Sequence, residues 1–275
     1  MSMRAAVIQL SSQDDVAANL ARATALIDRA ARAGAELVVL PENFAFMGEE
    51  AQKRAIAENV QPSPSGEPEG PILGALVAAA RASHVFVVGG GMPEASGDPA
   101  RPYNTSVLVT PSGELAAVYR KIHLFDVDLP DGTSLEESAA TTAGAAPVVA
   151  HVGGTPVGMT VCYDLRFPEL YRALGKLGAR VVTIPSAFTL TTGKDHWHVL
   201  MRARAIENEI FVLAAAQHGK HPRGRQTYGK SLIVDPWGDV LAQCGEGEGF
   251  AVADLDFAYQ DRVRAALPCL SHRRL

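Results

Sequence analysis

The chain has 275 residues, of which 47% are hydrophobic and 20% are charged, and its formal net charge is −5 at pH 7. This length and composition predict one large hydrophobic core or two small ones. The acidic balance argues against a nucleic-acid-binding protein, which normally carries a basic surplus. No stretch reaches the roughly 18 apolar residues that a membrane-spanning helix needs, and the apolar run at the N-terminus is too short for a signal peptide.

Three widely spaced cysteines, Cys162, Cys244 and Cys269, form neither a CxxC spacing nor a disulfide framework. We therefore expect reduced thiols and a cytoplasmic location. His196 and His198 are two positions apart, a spacing that does not bring two side chains of a helix to one face. Because no metal-binding spacing is present, we expect no metal and no cofactor.

Apolar residues at helical spacing alternate along the chain with short apolar runs typical of strands. Residues 59–71 and 125–147 read as loops, and long loops are often functional. The predicted strands are 4–10, a run over 36–43, 85–91, 104–110, 115–121, 155–162, 180–185, 210–216, 231–235, 239–243 and 251–255. The predicted helices are one that begins after Asp14 or Asp15 and ends at Gly34, and then 72–83, 168–176, 196–208 and 257–266.

This alternation of strands and helices predicts an α/β fold. Some strand pairs are joined by helices and others by hairpin turns, which indicates mixed sheets, two of them packed face to face with helices outside. The composition does not change along the chain and no linker interrupts it. We therefore expect a single domain over residues 1–275.

Glu42, Lys121 and Cys162 each lie at the end of a predicted strand. If these ends meet, a carboxylate, an ammonium and a thiol share one pocket, which suits attack on an amide carbon. The carboxylate can accept the thiol proton as a general base. The ammonium can stabilise the oxyanion, together with the backbone N–H of Tyr163.

Each of these residues also has an ordinary structural interpretation. Buried free cysteines are commonly small core residues, and charges at strand ends are commonly solvated. Asp164 and Arg166 are close enough in sequence to form a local ion pair.

Several segments resemble the signatures of the nitrilase, or carbon–nitrogen hydrolase, superfamily. Three of them carry the family's Glu-Lys-Cys triad in the family's order, and the resemblance extends over nearly the whole chain. The segments are 40–43 (LPEN), 119–124 (YRKIHL), 136–138 (EES), 161–170 (VCYDLRFPEL), 185–188 (PSAF), 196–197 (HW), 202–208 (RARAIEN) and 234–238 (VDPWG).

The resemblance implies a four-layer α-β-β-α sandwich that assembles as a homodimer or a higher homo-oligomer. It implies Cys162 as nucleophile, Glu42 as general base and Lys121 as oxyanion stabiliser. Glu137 matches the family's second glutamate, which orients Lys121 or the substrate. Arg166 would pair with a substrate carboxylate, and Ser186, Phe188 and Thr192 would line the site.

Residues 214–221 (AAAQHGKH), 228–231 (YGKS) and 267–274 (LPCLSHRR) resemble the branch of the superfamily that hydrolyses deaminated glutathione to 2-oxoglutarate and cysteinylglycine. The expected partner is thus a small-molecule amide. Three alternatives stay open within the superfamily: an ω-amidase acting on 2-oxoglutaramate, an N-carbamoyl amide hydrolase and a true nitrilase. A silent binding protein is a fourth. The resembling tail ends at Leu275, short of the extension that many members carry.

Overall fold

The protein folds into two mixed β-sheets and a set of helices. The structure, a computed structural model, describes residues 2–60, 67–128, 132 and 134–274. The strands are β1 Ser2–Leu10, β2 Leu37–Val39, β3 Phe86–Glu94, β4 Tyr103–Val109, β5 Leu115–Arg120, β6 Asp126–Asp128, β7 Ser134–Glu136, β8 Val148–Val152, β9 Thr155–Met159, β10 Val181–Thr183, β11 Phe211–Ala214, β12 Ala216–Lys220, β13 Gln226–Tyr228, β14 Leu232–Val234, β15 Val240–Gln243 and β16 Gly249–Asp256. The α-helices are α1 Val16–Arg32, α2 Glu50–Lys53, α3 Pro71–Ser83, α4 Pro168–Lys176, α5 Leu190–Asn208 and α6 Phe257–Ala266.

The first sheet has the strand order β13-β12-β1-β2-β3-β4-β5, with β16 also paired to β1. The second sheet has the order β15-β14-β11-β10-β9-β8. In each sheet parallel strands occupy the centre, β1-β2-β3 in one and β9-β10-β11 in the other, and antiparallel strands extend the edges. The strands β6 and β7 form a separate small hairpin.

Alternate residues of β1 face opposite sides of the first sheet, as the two-residue period of a strand requires. Ala5 and Val7 belong to the core that includes the second sheet, whereas Ala6 and Ile8 pack with the apolar faces of α1 and α3. On the far side of the second sheet, α4 and α5 pack their apolar side chains, among them Trp197, into the same core as that sheet. The layers are therefore helices, sheet, sheet and helices, and the predicted α-β-β-α sandwich is confirmed.

Several predicted boundaries differ from the structure, and three of these differences bear on the site. The predicted strand 155–162 ends at Met159, and Cys162 instead begins a 3₁₀ turn, Cys162–Arg166. The predicted helix 196–208 begins at Leu190, because the Thr189 side chain accepts a hydrogen bond from the Thr192 N–H and caps it there. The predicted strand 210–216 divides at Ala215, where the chain passes from the second sheet to the first.

The predicted loops contain further structure. The hairpin β6-β7 and a 3₁₀ turn at Glu137–Ala139 lie within the loop predicted at 125–147. Residues 61–66, 129–131 and 133 of the two loops lie outside the described residues. Within the described part of the chain, no helix is both long and apolar enough to cross a membrane. The cytoplasmic location stays a prediction.

Gly90 lies in β3 where the two sheets come close together. A Cβ at this position would stand 1.9 Å from the Leu40 carbonyl oxygen and 2.5 Å from Cβ of Pro185. The neighbouring atoms are backbone and proline, which cannot move aside. We expect Gly90→Ala to lower the free energy of unfolding by about 2 kcal/mol or more through overpacking, measured as the midpoint of urea denaturation.

Gly97→Ala is the matched control, because a Cβ at exposed Gly97 would meet no atom within 4 Å. This variant should unfold within about 0.5 kcal/mol of the wild type. Equal midpoints for the two variants would show that the sheets are not in close contact at Gly90.

Candidate active site

Lys121 is a buried ammonium held between two carboxylates. Its Nζ lies 3.0 Å from Oε1 of Glu42, and 3.0 Å and 2.8 Å from the two carboxylate oxygens of Glu137. The side chain of Lys121 is 2% exposed, and those of Glu42 and Glu137 are 4% and 14% exposed. A buried charge is stable only when it is paired and hydrogen-bonded, so these contacts fix the position of the ammonium.

Asn104 joins the two carboxylates and was not identified from the sequence. Its Nδ2 donates to Oε1 of Glu42 at 2.9 Å and to Oε1 of Glu137 at 3.2 Å. The Lys121 N–H in turn donates to the Asn104 carbonyl at 2.9 Å. The hairpin predicted from the sequence could have indicated this residue, because pairing its two strands places Asn104 opposite Lys121.

Glu42 is also held by two further segments, one after the second sheet's β10 and one in the first sheet's β12. Its Oε2 accepts a hydrogen bond from the Ala187 N–H at 3.0 Å. Its backbone carbonyl accepts one from Nε2 of Gln217, in β12, at 3.0 Å. Neither residue was identified from the sequence, since the Ala187 contact depends on how the sheets pack and the Gln217 contact on where β12 joins the first sheet. The Glu42 carboxylate is thus oriented by donors from three segments, those of Asn104, Lys121 and Ala187.

Cys162 lies at a sharp turn of the backbone just beyond β9. Its N–H donates to the Pro185 carbonyl at 2.8 Å, and its φ of 49° is in the left-handed region. A residue with a Cβ adopts this conformation at a cost of roughly 1–2 kcal/mol, which the surrounding structure must offset. Tyr163 is the second residue of the turn, a position whose N–H has no acceptor inside a helix.

One cavity of about 60 Å³ brings the four predicted catalytic residues together: Glu42, Lys121, Glu137 and Cys162 line it. Ala187 and Asn104 line it as well. Glu42 and Lys121 are therefore not solvated surface charges, because both are buried and paired beside Cys162.

The charges of the cluster determine the protonation states. Burial alone lowers the pKa of Lys121, but the charges of Glu137 and Glu42 outweigh burial and hold that pKa well above its ordinary value. Burial alone raises the pKa of Glu137, but Lys121 outweighs it and keeps this pKa low. Burial and the negative charge of Glu42 raise the pKa of Cys162, opposed by Lys121 and the Ala187 N–H. The resting cysteine is thus a neutral thiol.

Asp164 supports the turn that carries Cys162. Its fully buried carboxylate accepts hydrogen bonds from the Tyr119 hydroxyl at 2.6 Å and from the Val161 N–H at 2.9 Å. Both of those bonds reach Oδ2 of Asp164. Its Oδ1 accepts from the His123 backbone N–H at 3.1 Å and lies 2.7 Å from the ring Nδ1 of His123. The interpretation of Asp164 and Arg166 as a local ion pair is therefore wrong, because other groups bond this carboxylate.

A second, smaller cavity adjoins the first, and Cys162, Phe125 and Ala187 line both. Arg166, Phe188, Thr192 and Tyr163 line the smaller one, and its volume is about 10 Å³. The Arg166 guanidinium lies 5.1 Å above the centre of the Phe188 ring. Its Nη1 is 3.3 Å from Nδ1 of His196. This cavity is too small for a carboxylate group, which enters it only if these side chains move apart.

Ser186 does not line either cavity. The side chain is fully buried, and its hydroxyl donates to the Ile184 carbonyl at 3.3 Å. The backbone N–H of the next residue, Ala187, is the group that reaches the site. Ser186 therefore contributes to the geometry of this segment through its backbone.

The negative charge of Glu42 should be visible in the reactivity of Cys162. The cluster of two carboxylates and one ammonium has one excess negative charge, which disfavours a thiolate. Glu42→Gln removes that excess, so the thiol pKa should fall and alkylation of Cys162 by iodoacetamide should begin at lower pH. Mass spectrometry of the Cys162 peptide across a pH series measures the shift.

Glu114→Gln serves as the control, since Glu114 is exposed in the turn between β4 and β5. This variant should keep the wild-type pH profile. A Glu42→Gln profile that stays in place or moves to higher pH would contradict the electrostatic effect.

The chain matches the carbon–nitrogen hydrolase family over residues 4–265. It is 44% identical over 272 residues to a protein of Synechocystis sp. named deaminated glutathione amidase, covering 98% of this chain and 97% of the relative. The crystal structure of Saccharomyces cerevisiae Nit3, a member of branch 10 of the nitrilase superfamily, superposes with a TM-score of 0.89 at 34% identity. That alignment covers 100% of this chain and 97% of the other.

A further solved structure bears on the cysteine. The amidase from Nesterenkonia sp. AN1 superposes with a TM-score of 0.77 at 31% identity, over 97% of this chain and 98% of that one. In a mutant of that amidase with glutamine in place of a glutamate, acrylamide has added to the active-site cysteine. The matches in sequence and fold run the length of the chain, and the protein belongs to the carbon–nitrogen hydrolase family of the nitrilase superfamily.

Proposed function

We propose that this protein is an amidase that hydrolyses deaminated glutathione to 2-oxoglutarate and cysteinylglycine. The strongest support is the 44% identity, over nearly the full length of both chains, to a relative named for that activity. The arrangement of Glu42, Lys121 and Cys162 around one cavity supports amide hydrolysis. The position of Arg166 beside Cys162 supports a substrate that carries a carboxylate.

In the first half of the reaction, Sγ of Cys162 attacks the amide carbon while Glu42 accepts the thiol proton. The carbonyl oxygen becomes an oxyanion, which the Lys121 ammonium and the Tyr163 N–H stabilise. When the C–N bond breaks, Glu42 returns the proton to the leaving nitrogen. Cysteinylglycine departs and the acyl group stays on Cys162 as a thioester.

In the second half, water attacks the thioester and Glu42 accepts a proton from it. The same two donors stabilise the second oxyanion. The C–S bond then breaks, 2-oxoglutarate leaves, and the Cys162 thiol is restored. Glu137 touches Lys121 and not the thiol in this scheme, so its role is to hold the ammonium in place.

The acyl half of the substrate carries an α-keto acid. Arg166 offers a planar guanidinium that matches a carboxylate in a two-pronged fork. Phe188 and Thr192 would contact the same half, because both line the same small cavity as Arg166. Binding of this carboxylate would separate the Arg166 guanidinium from the His196 ring, which it contacts in this structure.

A second candidate substrate is 2-oxoglutaramate, because it contains the same acyl half and would make the same contacts with Arg166. The two substrates differ only in the leaving group, which is ammonia for 2-oxoglutaramate. Comparing kcat/KM for the two compounds decides which one the protein prefers.

The direct test of the function is to incubate the protein with deaminated glutathione and measure 2-oxoglutarate. Cys162→Ala should abolish release, because no thioester forms without the thiol. Cys269→Ala is the matched control, since this half-buried cysteine lies near the C-terminus and bonds Glu209. No release by the wild type, or full release by Cys162→Ala, would reject the proposed function.

Arg166→Gln should weaken binding of the keto acid more than it slows the chemistry. Losing a hydrogen bond to a charged group costs roughly 1.5–3 kcal/mol, so KM for deaminated glutathione should rise about 10- to 100-fold. Steady-state kinetics of the variant measure this change. An unchanged KM would show that another group binds the acyl carboxylate.

We also infer that the protein assembles as a homodimer or a higher homo-oligomer. Exposed apolar side chains gather where α5 meets the β14-β15 turn: Val199, Ile206 and Trp237 are 66%, 43% and 54% exposed. The turn is joined to α5 by a hydrogen bond from Arg202 Nε to the Gly238 carbonyl, at 2.6 Å. Such a patch favours a contact between copies, and analytical ultracentrifugation measures the mass in solution.

A further inference from the structure

The catalytic cavity leads outward into a much larger one. The outer cavity has a volume of about 570 Å³, and it shares Glu50, Leu135 and Arg225 with the inner cavity that contains Cys162. Arg166 lines neither of these two cavities, although Thr189 lines both the outer cavity and the small cavity beside Arg166. If the acyl half of a substrate points to Arg166, the amine half points into this outer space.

Arg225, which lines both cavities, carries a guanidinium nitrogen, Nε, that is buried and unpartnered among the described residues. Two other cations near these cavities are paired within the described part of the chain, whereas Oε2 of Glu50 is buried there without a hydrogen-bond partner. Lys53 Nζ donates to Glu50 at 3.0 Å, and Arg223 is paired with Glu49. Glu136, which also lines the inner cavity, is exposed to solvent.

The loop that carries Arg225 is firmly anchored. The His221 N–H donates to the Arg225 carbonyl at 2.8 Å. The buried His221 ring lies 2.8 Å from the Ser12 carbonyl and 2.7 Å from the Thr227 hydroxyl. The guanidinium therefore extends from a fixed backbone, so little conformational freedom is lost when it binds a ligand.

From this geometry we infer that Arg225 binds a carboxylate at the far end of the amine half of the substrate. In deaminated glutathione that group is the terminal carboxylate of cysteinylglycine, so this inference rests on the proposed function. Two residues span at most about 7 Å from the scissile nitrogen. That reach fits a site in which Arg225 and Cys162 line one cavity. Arg225 is thus a specificity-determining residue for the leaving group.

The test compares two substrates that differ only in this carboxylate: deaminated glutathione and its C-terminal glycinamide. The measured quantity is the ratio of kcat/KM for the acid to kcat/KM for the amide. Arg225→Gln should lower this ratio about 10- to 100-fold, the loss expected for a hydrogen bond to a charged group. Arg32→Gln is the matched control, because Arg32 on α1 is 79% exposed and bonds Asp28.

Arg225→Lys keeps the charge but loses the planar fork, so its ratio should lie between those of the wild type and Arg225→Gln. This variant also decides the matter if Arg225→Gln fails to fold. If Arg225→Gln and Arg225→Lys both show the same acid-to-amide ratio of kcat/KM as Arg32→Gln, the inference is overturned. The proposed function would still stand. A wild type that releases no 2-oxoglutarate from deaminated glutathione would reject both.

Discussion

The site depends on one buried ammonium. Lys121 has almost no contact with water, and it stays charged because Glu42 and Glu137 approach it within hydrogen-bonding distance. The pairing is not neutral, since two carboxylates surround one cation. Burial, together with the negative charge of Glu42, keeps the pKa of the Cys162 thiol high, so the resting thiol is protonated. A protonated thiol beside an ionised carboxylate is the arrangement that a general-base mechanism requires, and it differs from a preformed thiolate–cation pair.

The packing of the two sheets sets the distances within this cluster. Glu42, Asn104 and Lys121 follow or belong to strands of the first sheet, whereas Cys162 and Ala187 follow strands of the second. The Ala187 N–H bonds Glu42 across the junction, so the base is attached to the sheet that carries the nucleophile. A shift of one sheet against the other would separate the thiol from its base. Close contact at Gly90 opposes such a shift, because no side chain fits between the layers there.

For identifiable reasons, the sequence predicts the alternating strands and helices from their periodic patterns, whereas the four layers follow from the family resemblance. Strands buried on both faces and amphipathic helices leave clear periodic patterns, and Glu42, Lys121 and Cys162 each follow an apolar run. Contacts between distant segments leave no such pattern. Gln217 reaches Glu42 only because the chain crosses between sheets at Ala215, inside what reads as one apolar run. The turn at Cys162 is hidden for a similar reason: apolar residues continue past the last paired position, Met159, while the backbone leaves the ladder.

The same charge balance bears on the shape of the substrate. A carboxylate placed against the cluster would meet the excess negative charge of Glu42 and Glu137, and burial would strengthen the repulsion. An acidic substrate therefore binds well only if its carboxylates lie away from the reacting carbon. Arg166 and Arg225 line two different cavities that share Cys162, so each can face a different end of a bound chain. An amide in the middle of a molecule with acidic ends satisfies this arrangement, whereas a carboxylate directly beside the amide does not.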